Sequence, residues 1–188
     1  MKFNGLAAAL VVSLLLICEI LLGGNGLEPG TNLGPLQNKM QFDKVADILK
    51  DTKTSGASFL TGGEIPDEPG YFIPPTLVTD VDDNSRLVVE EQFGPIVPIL
   101  KYADTEDALQ RANDTCYGLS GSVWTSDLER GKALAERMEV GTAWVNQHRA
   151  TSAYVPFGGA KQSGLGRQYS ILGLKGYMEP QVVSVSKV

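Results

Sequence analysis

The chain has 188 residues, with 16 Lys and Arg against 22 Asp and Glu and a formal net charge of −6. That length suits one domain of ordinary size, and the acidic balance argues against a nucleic-acid backbone binder, which needs a basic face. Two cysteines, Cys18 and Cys116, supply neither a disulfide framework nor a Cys-rich zinc site, and the single histidine, His148, excludes a metal motif built on two histidines.

Residues 6–22 read LAAALVVSLLLICEILL, interrupted only by Ser13 and Glu19 and preceded by Lys2. This has the form of a secretory h-region behind a short basic start, or of a marginal membrane anchor. A membrane span needs about 20 apolar residues, so the stretch is short for one. It equally has the form of a shifted start site in front of a truncated domain, and both readings stay open at this point. Either way residues 1–25 are expected to form an apolar leader, helical where it is apolar, ending in the flexible break Gly23-Gly24-Asn25-Gly26.

From Gly26 onward the pattern is that of an α/β domain, 26–188. Phe42, Val45, Ala46 and Leu49 recur at helical spacing and predict an amphipathic helix over 39–52. Short β-like runs follow at 76–81 and 96–102. Asp104 or Thr105 caps a helix through Ala112, with Ala108, Leu109 and Ala112 expected to face inward. A strand is expected at 121–125. Ser126-Asp127-Leu128-Glu129 reads as a capping box that opens a helix burying Leu134, Ala135 and Met138, with Gly141 placed to end it. Strands at 142–146 and 181–186 complete the set. Strand–helix–strand–helix–strand over 96–146 predicts two successive βαβ units and a mostly parallel sheet flanked by helices.

Two stretches carry chemistry. In Glu90-Glu91-Gln92-Phe93-Gly94-Pro95, two adjacent carboxylates precede an aromatic and a Gly-Pro turn. Neighbours on an extended segment point to opposite sides, so one carboxylate would enter a given pocket, and Phe93 would share a side with Glu91. A carboxylate accepts hydrogen bonds from sugar hydroxyls, and a ring supplies contact area for a planar group. The same residue types also fit a solvated carboxylate beside a core Phe. The stretch 156–167, PFGGAKQSGLGR, is rich in turn formers but matches neither the P-loop nor the dinucleotide fingerprint. Its chemistry alone describes a constrained loop, not a nucleotide loop.

Taken together, Asn32-Leu33-Gly34-Pro35-Leu36, Gly70-Tyr71-Phe72-Ile73-Pro74-Pro75-Thr76-Leu77, the 90–95 stretch, Ala112-Asn113 followed by Tyr117-Gly118-Leu119-Ser120, Gly141-Thr142-Ala143-Trp144-Val145-Asn146 and the 156–167 stretch stand in the order of the NAD(P)-dependent aldehyde dehydrogenase superfamily. Residues 26–188 resemble the C-terminal part of the catalytic domain of such an enzyme, which implies an incomplete catalytic domain here.

The resemblance implies oxidation of aldehydes to carboxylic acids by a cysteine thiolate, with hydride passed to NAD or NADP and a glutamate-activated water hydrolysing the thioester. It implies cofactor-binding roles for Glu91, similar to the family glutamate on the nicotinamide ribose, and for Phe93, similar to the aromatic beside the nicotinamide. Phe157 resembles a wall of the aldehyde tunnel. Gln147 and Thr151 fall in the neighbouring substrate-pocket loop, together with His148. The 181–186 run resembles the tail strand that joins a neighbouring subunit's sheet, so the expected partner is a second copy or a full-length relative, with no nucleic acid.

The family's nucleophile lies in a Gly-Gln-x-Cys context upstream of Gly34-Pro35-Leu36. Cys18 lacks that context and reads as a small hydrophobe of the leader. Cys116 falls at a family position not known for chemistry. The general base, the oxyanion Asn and a Gly-rich pyrophosphate turn are not recognisable either. The chain by itself is therefore expected to be a truncated form, inactive, with too little of the cofactor site to hold NAD or NADP alone. The resemblance favours a cytoplasmic protein, whereas a genuine targeting role for residues 6–22 would make it secreted or membrane-bound.

Overall fold

A computed structural model of the chain describes residues 23–187. The expected apolar N-terminal helix and Cys18 lie outside the described residues. The chain divides into two compact units, with the boundary between Lys101 and Tyr102.

The first unit is built on helix α1 (Lys39–Thr54), which starts where the Asn38 side chain accepts the Gln41 amide at 2.9 Å. That bond satisfies one of the orphan donors of the first turn. The predicted periodicity holds, and the inward face carries Val45, Ile48, Leu49 and Thr52, while Ala46 is half-buried. Opposite it lies a three-stranded sheet of β1 (Ser58–Thr61), β2 (Thr76–Thr79) and β3 (Ile96–Ile99), with β2 in the middle. β1 runs antiparallel to β2, with a bulge between Phe59 and Thr61. β2 runs parallel to β3, Thr76 facing Ile96 and Thr79 facing Ile99. A single helical turn, α2 (Arg86–Val89), lies between β2 and β3 in the chain. All four residues of β2 are buried, as expected of a strand covered on both faces. Val45, Ile48, Leu49, Ile73, Val78, Leu87 and Ile96 form one core.

Both strands are shorter than the apolar runs predict. Asp80 turns the chain out of β2 at φ 58°, so β3 has no neighbour beyond Ile99. A strand without a partner for its amides does not persist as a ladder.

The second unit contains α3 (Thr105–Asn113), β4 (Tyr117–Gly118), β5 (Ser120–Val123), α4 (Leu128–Ala135), β6 (Thr142–Val145), β7 (Ala160–Lys161) and α5 (Ser170–Lys175). Asp104 caps α3, accepting the Glu106 and Asp107 amides at 2.9 and 3.0 Å. The inward face expected of α3 is incomplete: Ala108 and Leu109 are half-buried, Ala112 is exposed, and no residue of the helix is fully buried. β5 and β6 pair in parallel around α4 and make one βαβ unit. The other expected unit does not close, because β3 pairs with β2 and β5 pairs with β6. With the antiparallel β4–β7 and β1–β2 ladders, the described residues form three small sheets of mixed direction in place of one mostly parallel sheet.

The cap of α4 is Asp127, which accepts the Arg130 amide at 3.0 Å, one residue beyond the Ser126 of the expected box. The helix stops at Ala135, which is buried, and leaves Leu134 and Met138 half-buried. Gly141 therefore does not end it. It is needed elsewhere: a Cβ there would lie 1.6 Å from the Gly158 carbonyl oxygen. The 181–186 run forms no strand, and Val182, Val183 and Val185 are exposed. A β-run gains a ladder only where a neighbour offers its own N–H and C=O groups, and nothing in the described chain does so. Among the described residues no helix is long and apolar enough to cross a membrane.

Candidate functional site

In the first unit the two adjacent carboxylates have different fates. The Glu90 side chain is half-buried and accepts Arg86 Nε at 2.7 Å, and Arg86 Nη1 reaches Asp47 on α1 at 2.8 Å. The Arg86 hydrogen bond holds the Glu90 carboxyl below the usual carboxylate range. Glu91 is exposed, and its carboxylate has no hydrogen-bond partner among the described residues. Its backbone is tethered instead: Lys44 Nζ donates to the Glu91 carbonyl at 2.6 Å, and the Gln41 side chain donates to the Gln92 carbonyl. The Gln92 amide side chain donates to the Ile96 carbonyl at 2.6 Å and closes the turn.

The expected alternation along this segment breaks at Phe93, which sits at φ 47°. The extended rule that put Phe93 on the side of Glu91 therefore does not apply. Phe93 is 69% exposed and is not a core residue. Gly94 follows because a Cβ there would come within 2.7 Å of Val45 on α1. The turn thus lies directly on the helix and shows solvent a free carboxylate and a ring.

The second unit holds the other singled-out residues. Directly after β6 comes Asn146, at φ 52°, a conformation that Asn tolerates better than most residues. Its side chain donates to the Thr125 carbonyl at 2.7 Å and accepts the Thr125 amide at 2.8 Å. Beyond it, Gln147 and Thr151 are exposed, and His148 is pinned: its Nδ1 lies 2.7 Å from Ser122 Oγ, and its ring meets Trp144 edge-on at 5.3 Å. Trp144 Nε1 donates to the Ala150 carbonyl at 2.9 Å. Phe157 is half-buried and exchanges backbone hydrogen bonds with Gln168 at 2.9 and 2.7 Å.

The glycine-rich stretch after Phe157 behaves as a constrained loop. Lys161 Nζ is engaged by the Asn113 carbonyl at 2.5 Å and by Glu139 at 2.7 Å, and Arg167 Nη1 donates to the Gly159 and Gly166 carbonyls. These cations tie the loop to its own unit. Cys116 is a free, exposed cysteine whose carbonyl accepts the Gln162 amide at 2.9 Å. Among the described residues no cluster of three or more His, Cys, Asp or Glu is placed to hold a metal ion.

The model of the aldehyde dehydrogenase family matches residues 6–183. The chain belongs to that family. It is 40% identical over 166 residues to the betaine aldehyde dehydrogenase of Brucella anthropi, covering 86% of this chain and 34% of that protein. It is 41% identical over 162 residues to aldehyde dehydrogenase 1A1 of Oryctolagus cuniculus, covering 86% of this chain and 33% of the relative. Among solved structures, the NAD+ complex of aldehyde dehydrogenase from Bacillus cereus matches with a TM-score of 0.86 and 39% identity, over 92% of this chain and 35% of that one. Betaine aldehyde dehydrogenase from Staphylococcus aureus in complex with NAD+ matches with a TM-score of 0.85 and 32% identity, over 98% of this chain and 39% of that one. The chain thus spans about a third of the length of the curated relatives it matches.

Several residues that shape this aldehyde dehydrogenase chain were not legible in advance. Arg86, Asp47, Lys44 and Gln41 act across about 40–50 positions of sequence, and only the helical spacing of Gln41, Lys44 and Asp47 on α1 offered a signal. Asn146 gave a clearer one, as an Asn directly after a β-branched strand end. Asn146→Ala removes two side-chain hydrogen bonds, worth about 0.5–1.5 kcal/mol each, and places a Cβ-bearing residue without a local polar group at positive φ, which costs about 1–2 kcal/mol. Denaturant unfolding should show the sum as a loss of about 2–5 kcal/mol. Asn146→Gly should lose only the hydrogen-bond share. Equal stability of the Ala variant and the parent would contradict this account.

Proposed function

We propose that this chain takes part in the NAD(P)-dependent oxidation of aldehydes to carboxylic acids. It would present Glu91 and Phe93 to the nicotinamide end of the cofactor, and Gln147, Thr151 and Phe157 to the aldehyde. The observation that carries the reading is the unequal state of the two carboxylates: Glu90 is engaged by Arg86, and Glu91 is exposed with no hydrogen-bond partner among the described residues. An unpaired carboxylate fits two sugar hydroxyls, which both need acceptors. The exposed Phe93 ring fits a flat apolar face beside them. When bound, NAD(P)+ accepts the hydride released from the aldehyde carbon. The solved NAD+ complexes of similar chains support this assignment.

On the same reading the 188 residues alone do not turn over aldehyde. Among the described residues the one thiol, Cys116, is exposed. A thiol is weakly nucleophilic at its free pKa and needs activation. Loss of a nucleophile typically costs about a million-fold in rate. The purified chain, given NAD+ or NADP+ and short, branched and aromatic aldehydes, is expected to form no reduced cofactor. Turnover abolished by Cys116→Ser or Cys18→Ser would overturn the proposal of inactivity and identify the nucleophile.

A second reading rests on the tail. The unpaired 181–186 run with its exposed valines has the makings of an added strand on another sheet. The second unit also leaves Ile171, Leu172, Leu174, Tyr177 and Met178 exposed, while only Ala135 and Trp144 of its hydrophobic residues are buried. A homo-oligomer, or a mixed assembly with a full-length relative, would cover this surface. Co-expression with a full-length aldehyde dehydrogenase and sizing of the product tests it, and strictly separate elution removes it. On the first reading residues 26–188 form the aldehyde dehydrogenase part, residues 1–25 are a leader, and the chain acts in the cytoplasm. Sequencing the mature N-terminus decides whether residues 6–22 address it elsewhere.

A further inference from the structure

We propose that Arg86 is a positioning residue that sorts the two adjacent carboxylates, engaging Glu90 and so leaving Glu91 as the one open to the vicinal hydroxyls of a nucleoside sugar. That the open carboxylate serves a sugar rests on the function proposed above. The sorting itself rests on geometry. Glu90 follows directly on the single turn α2 in extended backbone, φ −93° and ψ 140°, where neighbouring side chains diverge to opposite sides. Glu90 therefore cannot be fixed one way without Glu91 being sent the other. Arg86 fixes it with a two-armed contact, Nε to Glu90 at 2.7 Å and Nη1 to Asp47 at 2.8 Å. The planar guanidinium holds its donors in fixed, diverging directions, whereas a lysine ammonium is a compact charge on a flexible stem.

The rest of the segment is held by its backbone. Lys44 and Gln41 bind the carbonyls of Glu91 and Gln92, and Gly94 lies against Val45. These contacts locate the turn on α1 but do not choose between the carboxylates. Without Arg86 the segment would keep its place, and Glu90 would be as available as Glu91. Asp47 and Glu90 would then face each other without the cation that joins them, which adds repulsion at the junction of α1 and α2.

Carboxyl labelling of the full 188-residue chain with a water-soluble carbodiimide and an amine, read residue by residue by mass spectrometry, tests the sorting directly. In the parent chain Glu91 should label fast and Glu90 slowly. In Arg86→Gln, labelling of Glu90 should rise by up to about fivefold, the factor a surface ion pair is worth, to match Glu91. Arg86→Lys should restore part of the protection, because it keeps the charge but not the fixed fork. Asp80, paired with Lys101 in the same unit at 2.9 Å, is the internal control. Its labelling should not change, and a rise there would mark unfolding. In that event Glu90→Gln replaces the charge variant: Asp47 labelling should stay low, since Arg86 remains to hold it.

Equal labelling of Glu90 and Glu91 in the parent, or continued protection of Glu90 in a folded Arg86→Gln chain, would overturn the proposal. The sugar reading is tested apart from it by adding nicotinamide mononucleotide to the parent chain. Slower labelling of Glu91 alone supports that reading. Unchanged labelling of Glu91 counts against the sugar and leaves the sorting by Arg86 standing.

Discussion

Gly141→Ala is expected to unfold the second unit. The added carbon would stand 1.6 Å from the Gly158 carbonyl oxygen and 2.7 Å from the Gly158 carbonyl carbon. Both atoms are backbone, so no side chain can swing away to make room. Gly141 also donates its amide to the Gly118 carbonyl at 2.9 Å, at the point where β6 begins beside β5. Overpacking a well-packed site costs about 1–3 kcal/mol and occasionally more, and a rigid backbone clash belongs at or above the top of that range. A domain is stable by only about 5–15 kcal/mol, and this unit buries few large apolar side chains of its own. Both tryptophans of the chain, Trp124 and Trp144, lie in this unit, so their fluorescence reports its unfolding. Gly26→Ala is the matched control, because a Cβ there meets nothing within 4 Å. A Gly141→Ala chain that melts with the parent would refute the packing described here.

Ile48→Ala is expected to have the larger effect on the first unit. Ile48 is fully buried at the centre of the core formed by Val45, Leu49, Val78, Leu87 and Ile96. Truncation of such a residue costs about 2–5 kcal/mol, the spread reflecting how far the cavity collapses. Ile48→Val should cost only about 0.5–1.5 kcal/mol. The consequence reaches the candidate site, because α1 carries Gln41 and Lys44 to the carbonyls of Gln92 and Glu91. Amide exchange at Glu91, Gln92 and Phe93 should quicken in Ile48→Ala together with that of α1. Faster exchange in the helix with an unchanged turn would show that the turn does not depend on it.

Periodicity and capping located α1, α3 and α4, whereas the short helices α2 and α5 were not among the expected elements. The 3.6-residue pattern of Phe42, Val45 and Leu49 and the short polar side chains at Asn38 and Asp104 are local properties, and α1 and α3 begin where those side chains take the first amides. The β-branched runs likewise marked β2, β3 and β6, since their tendency to pair is carried by the residues themselves. The order of motifs over residues 26–188 identified the family, and the family model agrees with it.

What the linear pattern could not supply were the features that depend on a neighbour. Strand ends were set by the partner's length and by the turn at Asp80, not by the apolar run. The 181–186 run has strong β character and no strand, because a ladder needs a second edge. Gly141 looked like a helix stop and proved to be a point of close backbone approach. The sequence offered two adjacent carboxylates beside an aromatic, and the resemblance pointed to Glu91. The tertiary fold added the physical difference between the two, because an arginine reaching from α2 to Asp47 on α1 engages Glu90, while the Glu91 carboxylate keeps no hydrogen-bond partner among the described residues.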